Sequence, residues 1–160
     1  MMDINTIIAV SRDGADIDAR ELLEPETRTG IYALLHRNVS PLDRGLLRQL
    51  LLLEMQYRAD ESNPQDYFEN LGWCGLLMYQ IGDLDDVMLL WRAKHVTFDT
   101  AGGFDIQFLV GGGVDATINF LAMTRDSDAQ DALSCVRECQ EAGDFDNLSD
   151  WLAFRLAYYD

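Results

Sequence analysis

Lysine is almost missing from this chain of 160 residues. Lys94 stands alone beside eleven arginines, against 28 aspartates and glutamates, for a net charge of −16. A surface so poor in cations cannot neutralise a phosphate backbone, which argues against direct nucleic-acid binding. Histidine is nearly as scarce, with only His36 and His95. The three cysteines, Cys74, Cys135 and Cys139, show no C-x-x-C spacing, and the histidines no H-x-x-x-H. They cannot furnish a four-ligand zinc centre unless remote segments converge. Cys135 and Cys139 stand one helical turn apart, but with no histidine nearby in sequence they read as buried thiols in a reducing compartment. Apolar runs such as Leu50 to Leu53 fall far short of a membrane span. The first residues lack a basic start and are interrupted by Asp3 and Asn5, unlike a secretory signal, so a cytoplasmic protein without membrane contact is expected. There is no G-x-S-x-G for a nucleophilic serine, and Gly111-Gly112-Gly113 fits neither phosphate-binding glycine pattern. No catalytic residue, metal or cofactor is expected.

What is present is leucine and helical spacing. An apolar fraction of 48% with only three prolines fits one helical domain over residues 1–160. The chain is organised around Tyr67 to Leu121. Tyr67, Leu71, Cys74, Met78 and Ile81 recur at three and four residues, and Leu76 and Leu77 widen the stripe. That pattern predicts a central helix buried on more than one side. Gly82 sits where a left-handed C-terminal residue belongs and Asp83 where the next cap belongs, predicting a tight αα-hairpin into a helix carrying Leu84, Val87, Met88 and Trp91. The punctuation returns at Gly143-Asp144, again with a tryptophan, Trp151, in the following helix. Two such units suggest stacked αα-hairpins, with an α-solenoid as the repeat reading and ordinary helix punctuation as the plain one.

Around this centre, Asp3 to Val10 and Ile17 to Leu23 read as short helices and Arg28 to Arg37 as a third, with His36 beside its apolar face. Ser40-Pro41 with Asp43 is a clean helix start, and the helix it opens should pack on the central one. Thr97 to Phe104 reads as a loop or brief extended piece, Asp105 to Val110 as a short helix, and Gly111 to Gly113 as a hinge or close-packing turn. A helix over Val114 to Met123 follows, then one capped by Ser127, then a docked last helix bearing Trp151, Leu152, Leu156 and Tyr159.

Paired carboxylates are plentiful (Asp83, Asp85, Asp86, Asp99, Asp105, Asp115), yet capping already explains most of them, so acid–base catalysis is not inferred from their number. The seam Arg92, Lys94, His95 and Gln107 gathers cations and an amide beside Asp99 and Asp105. It has two readings: an internal network in which Arg92 or Lys94 ties the loop through Asp99 or Asp105, or a seat for a ligand or partner.

The block from Gly82 to Leu121 resembles a family of small, uncharacterised bacterial proteins sharing G-D-x-x-D-x-x-L-x-W-x-A-K…F-D…G-x-D-x-Q-x-L-x-G-x-G. Here those positions are Gly82, Asp83, Asp86, Leu89, Trp91, Ala93, Lys94, Phe98, Asp99, Gly103, Asp105, Gln107, Leu109, Gly111 and Gly113. In size, acidity and helical character the whole chain is also similar to immunity proteins of bacterial toxin systems. That likeness implies a non-enzymatic protein that binds and neutralises a cognate, basic toxin through acids near the hairpin turns: Asp83, Asp85, Asp86, Asp99, Asp105, Asp144 and Asp146. The alternatives are a helical-repeat scaffold or adaptor, and a small-ligand protein or enzyme using Lys94, Asp99 and Asp105. Genome composition or a salty cytoplasm would also account for the acidity.

Overall fold

Short polar side chains set the first helix boundaries. Asp3 accepts a hydrogen bond from the Thr6 amide and opens α1 (Ile4–Arg12). Pro25 takes the first position of α2 (Pro25–Leu35), three residues ahead of the expected start. Ser40 and Asp43 form a capping box whose Pro41–Asp43 turn runs straight into α3 (Arg44–Ala59). The computed structural model describes all residues, 1–160, and continues through α4 (Asn70–Ile81), α5 (Val87–Lys94), α6 (Phe98–Gly103), α7 (Val114–Met123), α8 (Ala129–Glu141) and α9 (Leu148–Tyr158). Short 3-10 turns join several of them, and there is no strand. The architecture is all-α, and no helix is long and apolar enough to cross a membrane.

The centre is α4, as its wide apolar stripe predicts. Leu71, Cys74, Leu76, Leu77 and Met78 are all buried, each leucine contributing about 1.5–3 kcal/mol by leaving water. α3 lies against it through Leu46, Leu47, Leu50 and Leu51. Gly75 has room for no side chain, because a Cβ there would stand 2.9 Å from the Phe104 ring. The glycine therefore admits two aromatic rings, Phe104 and Phe108, against α4.

Gly82 adopts the left-handed conformation (φ 69°) and Asp83 caps the following turn by accepting from the Asp85 amide, both as expected. The tight hairpin does not follow, however. The closest-packed helix pairs are α3 with α4 and α7 with α8, and the buried 3-10 turn Ile106–Val110 packs on both α4 and α5. The Gly111–Gly113 run is a close-packing turn: the Gly111 carbonyl lies 2.6 Å from where a Gly82 Cβ would sit, and a Gly111 Cβ would collide with the Tyr79 carbonyl.

Three local expectations are corrected. Thr97 to Phe104 contains a helix, α6 (Phe98–Gly103), because Thr97 and Thr100 form a reciprocal capping box that overrides the β-prone composition. Ile17 to Leu23 holds only one 3-10 turn, Ala19–Leu22, capped by Asp18. Ser127 does not cap α8; the Asp126 carboxylate accepts from the Asp128 amide and α8 begins at Ala129.

The last helix is docked without burying any residue fully. Tyr159 stacks on Trp73 at 4.8 Å with the rings nearly parallel, and a Gly72 Cβ would lie 2.9 Å from the Tyr159 hydroxyl. His36 bridges the two elements. Its Nδ1 accepts from Trp73 Nε1 (3.1 Å), which places the ring proton on Nε2, donating to the Leu156 carbonyl (2.8 Å). The buried histidine is thus a packing bridge.

Candidate functional site

With so few cations, where the arginines go decides what the surface looks like. Arg12 binds Asp43 through two hydrogen bonds of 2.6 and 2.8 Å. Arg28 is fully buried, holding Glu54 at 2.7 Å and the Leu22 and Leu23 carbonyls, while Tyr32 donates to the same carboxylate. Burial pushes the Glu54 carboxyl above its ordinary range, with Arg28 and Tyr32 pulling the other way. Arg44 and Arg48 converge on Asp86, Arg155 binds Asp105, Arg37 binds Asp160, Arg20 binds Asp18 and Arg92 binds Asp126. Eight of the eleven arginines are therefore committed to carboxylates of this chain, and Arg58, Arg125 and Arg137 are not.

The seven acids expected at an interface differ in whether an arginine reaches them. Asp86 is 3% exposed and gripped by two arginines, so it is unavailable to a partner. Asp105 is half-buried, accepting from Trp151 Nε1 at 2.8 Å and Arg155 Nε at 2.6 Å. Asp83 is half-buried beside Arg44 and occupied in capping. Asp85, Asp99, Asp144 and Asp146 are exposed and free of ion pairs. The C-terminal turn concentrates the pattern: Glu138, Glu141, Asp144, Asp146 and Asp150 all face solvent, and no lysine or arginine lies among them in sequence. Phe145, buried at the centre of that turn, pins it to the body.

The cations of the seam are all engaged by groups of this chain, with different partners from those expected, although Arg92 and His95 are exposed. Lys94 bonds neither Asp99 nor Asp105; its Nζ donates to the Ala101 and Phe104 carbonyls at 2.6 and 2.7 Å. Carbonyls left unpaired at the end of α6 attract the ammonium as an N–H donor, and burial lowers the Lys94 pKa. Arg92 reaches Asp126, His95 Nδ1 lies 2.8 Å from the Trp91 carbonyl, and Gln107 donates to the Asp144 carbonyl. These contacts tie α5 to α6 and the turn before α7 to the α8–α9 turn, and they engage the Lys94 ammonium with backbone carbonyls.

A recess opens beside α6. It has a volume of about 110 Å³ and lies between the end of α3, residues 68–72, α6 and α9. Arg58 enters it stacked on Phe68, its guanidinium carbon 3.9 Å from the ring centroid, and Arg155 enters from α9. Glu69 and Asp99 line the same recess, and Tyr159, Leu71 and Phe104 contribute to its walls. Sequence reasoning misses both arginines, since Arg58 in the last turn of α3 looks like ordinary dipole compensation. Cys135 and Cys139 are half-buried on α8, where burial raises the Cys139 thiol to about 12, and no group of three or more His, Cys, Asp or Glu is placed to hold a metal. No family model, curated protein or solved structure matches this chain.

Proposed function

We propose that this chain is a non-enzymatic binding protein that docks a basic protein partner on its acidic C-terminal turn, and that the partner is a cognate bacterial toxin that it neutralises. The observation that carries the reading is the commitment of the arginines. Eight are held by carboxylates of the chain itself, while five acids from Glu138 to Asp150 remain in water with no base among them. A local field of one sign attracts a cationic partner and speeds its encounter, more strongly at low salt. Phe154 and Tyr158, exposed on α9 beyond that turn, supply aromatic surface of the kind that anchors interfaces. The likeness in size, acidity and helical character to immunity proteins of toxin systems supplies the class of partner.

The test is co-expression and pull-down with the product of the adjacent gene, at low and high salt. A complex that protects cells and loosens as salt rises supports the reading. A protein that neither binds nor protects cells removes the toxin assignment.

A further inference from the structure

We propose that the recess between α3, α6 and α9 binds a small zwitterionic α-amino acid, its carboxylate on Arg58 and Arg155 and its ammonium on Glu69 and Asp99. Arg58 is an anomaly in this molecule. Acids outnumber bases by more than two to one, and Arg125 and Arg137, the other arginines without a carboxylate, are open to solvent. Arg58 alone is half-buried and unpaired, its plane laid on Phe68. Two acids line the same recess, yet none closes to within ion-pair distance of it. Cation and anions line one opening of about 110 Å³ without pairing. Arg155 commits only its Nε–H, to Asp105, which leaves its terminal N–H groups as further donors.

The charge balance selects the occupant. Arg155 is neutralised by Asp105, so the recess is lined by one unpaired cation and two unpaired acids, both acids exposed. A simple carboxylate would enter against the field of a chain carrying −16. A zwitterion has no net charge and satisfies both sides at once, with charge-assisted hydrogen bonds to a guanidinium fork at one end. Glycine and alanine are the smallest ligands of this chemistry. The site is independent of the acidic turn.

Titration of the isotope-labelled protein with glycine, L-alanine, acetate and methylammonium tests this, following the Gly72, Thr100 and Gly103 amides and the Arg58 Nε–H. Saturable shifts with glycine or alanine are expected, with a dissociation constant on the order of 1 mM and weaker binding of acetate and methylammonium. Arg58→Gln should weaken binding about tenfold or more and Asp99→Asn about threefold. Neither side chain has an ion-pair partner, and Arg58→Gln loses only the stack on Phe68, so both variants should fold, which the amide spectrum of each checks directly. The proposal is overturned if no amino acid saturates the shifts, if acetate or methylammonium binds as tightly as glycine, or if Arg58→Gln leaves the titration unchanged.

Discussion

Asp43, Glu54 and Asp86 are 0, 1 and 3% exposed, and each holds one or two arginines, whereas Glu138, Glu141, Asp144, Asp146 and Asp150 stand in water and hold none. The first group ties α1 to the start of α3, α2 to α3, and α3 to the turn before α5. The second surrounds the α8–α9 turn, and α9 has no fully buried residue. The same residue types thus do two jobs, set by whether an arginine reaches them. Net charge conceals this division. The −16 is an uneven surplus: eight arginines are taken up by acids elsewhere in the chain, and the acids of the α8–α9 turn are left without one.

Breaking the buried side of this comparison should have the largest effect. Arg28→Met strands the Glu54 carboxylate in the interior and should cost about 3–5 kcal/mol in urea unfolding. The double change Arg28→Met/Glu54→Leu should recover much of that loss, because it removes both charges. A double variant as unstable as the single one would show that the Leu22 and Leu23 carbonyls, not the stranded charge, set the cost. Gly111→Ala comes next. Its Cβ meets the Tyr79 carbonyl, a backbone atom that cannot rotate away, so a loss of roughly 1–3 kcal/mol is expected. A wild-type unfolding midpoint would mean that the contact between Gly111 and α4 relaxes freely.

What was legible in the sequence is what is decided locally. Gly82 and Asp83, the Ser40–Pro41–Asp43 box and the bounds of α7 depend on residues within one turn of each other, and all appear as read. α6 escaped because its box pairs Thr97 with Thr100, without the acidic fourth residue that usually signals a helix start. That Asp86 and Asp105 are engaged by arginines is not visible in the sequence, because those partners lie 42 and 50 residues away. No spacing rule reports which arginine folds back onto which acid. Lys94 was misassigned for a related reason: backbone carbonyls at a helix end are acceptors with no sequence signature. The recess was invisible, since Arg58 and Arg155 approach it from opposite ends of the chain.

The exposed side of the comparison should respond in binding, with little change in stability. Asp144→Asn/Asp146→Asn should shift unfolding by less than about 0.5 kcal/mol, yet slow association with a basic partner and flatten its salt dependence. Unchanged association would move the interface off this turn. The smallest effect is expected at the last residue. Arg37, with His36 adding a contact at 3.2 Å, holds the Asp160 carboxyl below its ordinary range. The folded state therefore binds that proton less readily than the unfolded chain. The contribution is present above the ordinary carboxylate range and is lost as pH falls through the depressed folded value. Because Asp160 anchors only the end of α9, the loss should be local. Lowering the pH from about 5 to 2 should reduce amide-exchange protection in α9 before α4, and Asp160→Asn should reproduce that order at neutral pH. If α4 and α9 lose protection together, α9 is held by the Tyr159–Trp73 stack and the Asp105 contacts, and the terminal carboxylate is incidental to its docking.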